Sequence, residues 1–229
     1  MHDEAESSKI GKKFWSYLEV LCQKAKELGA SEAIAIPVTD VVVDERTRLK
    51  CLVPVCFFYG RNLMCPPNMM PVSEFKKILK SYHGAILIKM GSSSSRPPEE
   101  LTGLNDLSKV WEIVSRHGRK EEQLPISAIE YACTLRDNME RLYEVNSQIE
   151  SMCLKEGYCF AAGLSAGGCF LCDECVGIKS GLPCRHPFKA RPSMEAMGID
   201  VVATAKRAGL QVNFNQDKAR GWVGLILVD

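Results

Sequence analysis

Four cysteines fall in one short stretch, Cys169-x2-Cys172-x2-Cys175-x8-Cys184, and three more form a second run far upstream, Cys51-x4-Cys56-x8-Cys65-Pro66-Pro67. Thiols at this spacing constrain the fold because the chain on either side must wrap around a shared centre. Three cysteines with two residues between neighbours can enclose one corner of a cubane, and bacterial ferredoxins use that triplet for 4Fe-4S clusters. Tetrahedral zinc needs four thiolates or imidazoles, usually from two separated pairs, so a third closely spaced thiol suits a cluster better. The first reading is therefore one or two 4Fe-4S clusters on Cys51, Cys56, Cys65, Cys169, Cys172, Cys175 and Cys184, with zinc as the alternative.

Eleven cysteines in 229 residues would suit a disulfide framework only in a small secreted domain. This chain is large enough to bury a core, and it spaces its thiols for ligation. Cys22, Cys133, Cys153 and Cys159 stand outside the runs and are expected to be buried apolar residues. The start, Met1-His2-Asp3-Glu4, has neither a basic nor an apolar leader segment, and no apolar run approaches about 18 residues. The expectation is a cytoplasmic protein without membrane insertion. A formal net charge of +1 supplies no basic excess for nucleic acid. Neither a phosphate-loop signature, a Gly-x-Ser-x-Gly elbow nor a His-Glu-x-x-His helix occurs.

Periodicity gives the elements around the thiols. Apolar residues at three- and four-residue steps predict a helix from Lys9 to Leu28, with Ser7 or Ser8 as cap and Gly29 as stop. Ala33–Val38 and Val41–Val43 read as short strands, followed by a hairpin or turn at the charged Asp44–Arg48 stretch. A helix over Ser73–Tyr82 and a strand over Ala85–Met90 precede a polar insertion at 91–124, with a helix near Leu107–Ser115. Ile126–Lys155 is the longest periodic segment and predicts a core helix. Phe160–Leu164 then reads as a strand leading to Gly167-Gly168-Cys169, where glycine allows the close approach a cluster requires. Ser193 can cap a short helix closing at Gly198, Asp200 can cap Val201–Ala208, and Leu210–Phe214 with Trp222–Val228 reads as a closing hairpin. The whole predicts a single α+β domain over 1–229, or α/β with a mixed sheet, carrying cysteine-rich loops at 51–67 and 168–187.

Seven run cysteines are one short of two four-thiolate cubanes. One grouping keeps Cys169, Cys172, Cys175 and Cys184 together and leaves Cys51, Cys56 and Cys65 with an open position or a fourth ligand such as Cys159 or His186. The other lets Cys65, which precedes Pro66, complete a site with Cys169, Cys172 and Cys175. His186, just beyond Cys184, suits a hydrogen-bond donor that tunes potential. Arg185, His186, Lys189 and Arg191 form a basic stretch, read as a solvated face or as a seat for an anionic partner.

Taken together, Cys51-x4-Cys56-Phe57-Phe58-Tyr59-Gly60, Cys65-Pro66-Pro67, Gly168-Cys169-x2-Cys172-x2-Cys175 and Cys184-Arg185-His186-Pro187 resemble the DUF2284 family, described as predicted metal-binding proteins. Arg191-Pro192-Ser193-Met194-Glu195-Ala196 and Gly198-Ile199-Asp200-Val201 extend the resemblance, which runs from about Cys51 to the C-terminus. It implies a cysteine-bound metal or cluster in anaerobic-type bacteria or archaea, and no particular substrate. Three functions follow. The first is iron-sulfur electron transfer to or from a partner redox enzyme. The second is a zinc- or cluster-stabilised assembly module of a larger complex. The third is a redox enzyme with an open-iron cluster.

Overall fold

The computed structural model of the chain describes residues 2–91, 126–172, 174–212 and 221–229. Its four strands are β1 (Ala30–Pro37), β2 (Gly84–Met90), β3 (Ala162–Leu164) and β4 (Trp222–Val228). They form one sheet in the order β1-β2-β4-β3, antiparallel at every pairing. The helices are α1 (His2–Glu27), α2 (Leu49–Leu52), α3 (Val72–Leu79), α4 (Ile126–Lys155) and α5 (Val201–Arg207). The protein is therefore mixed α+β.

β2 and β4 are apolar almost throughout because both faces of the sheet are covered. On one face Ile86, Ile88, Ile226 and Val228 pack against Leu18, Leu21 and Ala25 of α1 and Leu142, Val145 and Ile149 of α4. On the other, Ala85, Leu87, Leu225 and Leu227 meet Phe75 and Leu79 of α3, Val201 and Ala205 of α5, and Met194, Met197 and Ile199. Each large apolar side chain so buried contributes about 1.5–3 kcal/mol. A third cluster, Phe58, Cys65, Tyr131, Leu135, Met139, Tyr143 and Phe170, joins the two thiol runs to α4. It abuts the start of β4, where the Trp222 indole N–H donates to the Leu135 carbonyl at 2.8 Å.

Local expectations were met where local signals carried them. Helix α4 has the expected bounds. Asp200 accepts from the Ala203 N–H at 3.0 Å and caps α5, and the Ser193 hydroxyl accepts from the Ala196 N–H at 3.0 Å at a 3-10 turn, Glu195–Met197. Pairing expectations fared worse. The first helix starts at His2, so Ser7 and Ser8 lie inside it rather than before it. β1 pairs with β2 across the sheet, while Val38–Asp40 is a 3-10 turn and Val43 bridges to Ile199, so of the hairpin or turn expected at Asp44–Arg48 the turn is found, as the 3-10 turn Glu45–Arg48, and the hairpin is not. Likewise β4 lies between β2 and β3, and Leu210–Val212 is not a strand. No mixed sheet forms among the described residues. Helices and loops cover both faces of this antiparallel sheet, which is why its central strands are apolar throughout. Of the four cysteines outside the runs, Cys22 and Cys153 are buried, whereas Cys133 and Cys159 are exposed. All but the first residue of the 91–124 insertion, and the end of the Leu210–Phe214 segment, lie outside the described residues.

Candidate metal centre

The first thiol run begins where a short helical staircase ends. Asp44 caps the 3-10 turn Glu45–Arg48 by accepting from the Arg46 N–H at 2.9 Å, and α2 follows directly with Cys51 on it. This segment is stitched to the C-terminal part: the Asp44 N–H donates to the Gly198 carbonyl at 2.8 Å, the Asp200 N–H to Val42 at 2.8 Å, and the Val42 N–H to the Thr204 hydroxyl at 3.0 Å. Cys51 is thereby carried to the Glu195–Met197 turn. Gly198 permits the fit: its φ is 83°, and a Cβ there would meet Val72 at 2.6 Å.

From Cys51 the chain doubles back through successive turns. The Cys56 N–H donates to the Cys51 carbonyl at 3.0 Å, Tyr59 to Cys56 at 3.0 Å, Gly60 to Pro66 at 2.8 Å and Asn68 to Cys65 at 3.1 Å. Cys56 and Cys65 end up within electrostatic reach of each other and of Cys51. Burial pushes the Cys65 thiol up to about 12, against a side-chain hydrogen bond from Asn62 that favours the thiolate. Arg61 lies over the Phe57 ring, 4.1 Å from its centroid, which accounts for its place in the loop.

The second run leaves the sheet through β3. The Ser165 N–H donates to the Pro192 carbonyl at 2.8 Å and the Met194 N–H to Ser165 at 2.9 Å, so both ends of the loop are held together. Cys169, Cys172, Cys175 and Cys184 line one cavity, with Asn62 and His186 among its other walls. Two of the four sulfurs have donors in place. The His186 N–H donates to Cys184 Sγ at 3.3 Å, and Cys169 takes a backbone bond from Leu171, while the Tyr143 hydroxyl beside it donates to the Arg191 carbonyl at 3.4 Å. Burial nonetheless raises the Cys169 thiol to about 11. Thiols held this high are protonated at neutral pH and poor nucleophiles, so ligation must displace their protons.

Gly168 is the seam between the runs. A Cβ there would fall 2.4 Å from the Phe58 ring, which sits edge-on to Phe170 at 5.2 Å between centroids. The close approach expected of this glycine thus belongs to an aromatic ring of the other run. Cys65 and Cys169 are within electrostatic reach across the seam. The four-thiol grouping on the cavity nevertheless includes Cys184 and excludes Cys65.

The donor set fits a thiolate-bound metal in its residue types, its hydrogen bonds to sulfur and its partly buried setting. It is not preassembled: among the described residues no three His, Cys, Asp or Glu side chains converge to hold a metal ion. The cavity itself, about 20 Å³, is the size of a single water.

Several readings of the sequence change here. Arg191 is no part of a basic face: it pairs with Glu150 through Nε at 2.9 Å and through a close Nη2–Oε2 contact, and also donates to the Phe188 carbonyl at 3.1 Å. Lys189 pairs with Glu144 at 2.9 Å, and Arg185 donates to the Glu174 carbonyl at 2.6 Å. Cys159 lies away from both runs, next to Phe160, whose N–H donates to Asp229 at 3.2 Å beyond the far end of β4. Sequence reasoning missed Asn62 and Tyr143, neither of which lies in a motif that announces a place beside sulfur.

A model of a family described as "Predicted metal-binding protein (DUF2284)" matches residues 34–228. No curated protein and no solved structure matches the chain. No helix among the described residues is long and apolar enough to cross a membrane.

Proposed function

The chain belongs to the DUF2284 family of predicted metal-binding proteins, and from that premise we propose that it is an iron-sulfur protein exchanging electrons with a partner redox protein. One observation carries the reading: Cys169, Cys172, Cys175 and Cys184, spaced as for a cluster, line the same cavity. These four would hold a 4Fe-4S cluster, and Cys51, Cys56 and Cys65 would supply a second centre. A cluster so bound supplies one-electron chemistry at a potential set by charge, hydrogen bonds to sulfur and exposure. The chain's part is to tune and insulate. The His186 and Leu171 N–H groups stabilise charge on Cys184 and Cys169. Phe58, Phe170 and Met139 exclude water from the inner side. The outer side is open, because Cys184 is followed by exposed His186 and by Phe188, 91% exposed. A partner approaching there comes near the sulfurs without crossing the core.

The cavity volume favours a second reading, a single zinc on the same four thiols that staples the 168–187 loop of an assembly module. In that case the metal acts through folding energy. Anaerobic purification with assays for iron, acid-labile sulfide and zinc separates the two. Iron with equimolar sulfide and a dithionite-dependent EPR signal is expected. Zinc alone, with no redox response and an intact fold, would overturn electron transfer.

A further inference from the structure

We propose that the segment from Leu49 to Val55 is a tip that lies against an anionic lipid surface. The contact does not depend on which metal the thiols hold. Leu49 is 56% exposed, Leu52 42%, Val53 74% and Val55 70%, and Pro54 between them is exposed as well. Apolar residues scattered singly over a surface are ordinary, but five within one short loop form a patch that marks a contact. The loop is shaped by its own backbone: the Val53 N–H donates to the Leu49 carbonyl at 2.8 Å and the Cys56 N–H to the Cys51 carbonyl at 3.0 Å. Pro54 has no N–H. Backbone groups that enter lipid must be satisfied internally, and at these three positions no N–H is left to satisfy.

The charge around the tip selects what covers it. No acidic residue occurs between Glu45 and Glu74, while Arg46, Arg48, Lys50 and Arg61 all fall in that stretch. Arg46 is paired with Asp44 at 2.5 Å, and Arg48 is turned to the Met70 carbonyl at 2.7 Å. Lys50 and Arg61 are exposed and belong to no ion pair among the described residues, with Arg61 resting on the Phe57 ring. Glu195 lies within electrostatic reach of Lys50, but desolvation shifts its carboxyl toward the neutral form. An apolar tip flanked by such cations suits an anionic bilayer, the apolar side chains entering the headgroup boundary while the cations stay at the phosphates. The formal net charge of +1 over the whole chain conceals this local excess. A second copy of the chain is disfavoured, because pairing two such tips sets like charges against each other. A recess on a protein is disfavoured by composition: Leu and Val are under-represented among the residues that anchor protein interfaces, and Phe57 and Phe58 are packed inward. A tip this short cannot span a bilayer, so the contact is peripheral.

The test is co-sedimentation of the anaerobically purified full chain with vesicles of phosphatidylglycerol and phosphatidylcholine in equal parts, and with vesicles of phosphatidylcholine alone. Wild type is expected to bind the anionic vesicles, to bind the neutral ones far less, and to be released by high salt. Val53→Ser with Val55→Ser keeps the charge and removes apolar surface, and should weaken binding about tenfold. Lys50→Gln with Arg61→Gln should weaken it roughly twentyfold. No binding of wild type to the anionic vesicles, or double variants that bind as wild type does, would overturn the inference. So would self-association in sedimentation velocity that Val53→Ser with Val55→Ser abolishes, which assigns the tip to a second copy. A wild type that is monomeric and ignores both vesicles leaves the tip to a protein partner and equally overturns it. Should the variants fail to fold, hydrogen exchange of the wild type decides: vesicles are expected to slow exchange in the segment around Leu52 to Val55, and unchanged exchange there contradicts the inference.

Discussion

The two thiol runs are built by opposite means. The first, around Cys51, Cys56 and Cys65, is a series of tight turns closed by its own backbone, and its outer surface leaves Val53 and Val55 more than two-thirds exposed. The second leaves β3 as an open loop and is braced by side chains: Arg185 to the Glu174 carbonyl, Lys189 to Glu144, and Arg191 to Glu150. The first run brings three thiols and the second brings four. A self-closed loop holds its shape without metal, whereas a loop hung on side chains gains most from a centre that ties its cysteines together. On the proposed function, the second run is thus the one whose order would depend on metal.

The strongest way to break this contrast is to remove two second-run thiols. Cys172→Ser with Cys184→Ser is expected to abolish one of two centres, lowering iron by about half, and to open the 168–187 loop to limited proteolysis. An unchanged digest would show that the braces suffice. Next comes the largest brace. Arg191→Met strands Glu150, which is 14% exposed in its side chain and also accepts from the Gly163 N–H. Breaking so buried a pair costs about 3 kcal/mol, readable in a denaturant melt. Gly168→Ala sharpens the seam: the added methyl drives the Phe58 ring away and costs about 1–3 kcal/mol by overpacking, with both centres perturbed in EPR. A change confined to one centre would contradict a shared wall. Asn62→Ala removes the side-chain bond to Cys65 and is expected to cost about 1 kcal/mol while shifting the midpoint potential of the first centre, and, because Asn62 also lines the second run's cavity, that of the second by less.

The smallest effect concerns pH. The Arg46 side chain beside Asp44 holds its carboxyl down at about 2. A depressed carboxyl contributes stability above its unfolded value, and that contribution is lost as pH falls toward 2. The pair is solvent-exposed, so the effect is small. Asp44→Asn should flatten the acid limb of the stability profile slightly, and an identical limb in both proteins would remove Asp44 from the account.

What the sequence made legible was local. The step of Ile149, Leu142 and Leu135 along α4, the Asp200 cap and the Ser193 turn are each decided within a few residues. The partner of β1 was not legible, because β2 lies beyond two turns and two helices, and an apolar strand face suits any complementary strand. For the site, the spacing of Cys169, Cys172, Cys175 and Cys184 did announce a common cavity. What escaped were long-range partners: Glu150 for Arg191 and Phe58 for Gly168. Arg191 in a basic stretch looks solvated until the helix opposite is known. The exposure of Cys133 and Cys159 had the same cause, since burial depends on which helix face or strand end finds a neighbour.

The measurement that bears most directly on the contrast between the runs is iron and acid-labile sulfide per chain in the Cys51→Ser/Cys56→Ser/Cys65→Ser variant, purified without oxygen. The account predicts about four of each, the content of one cubane, with a dithionite-dependent EPR signal retained by the second run. Zinc in their place, or no metal with the second run's thiols intact, would contradict it.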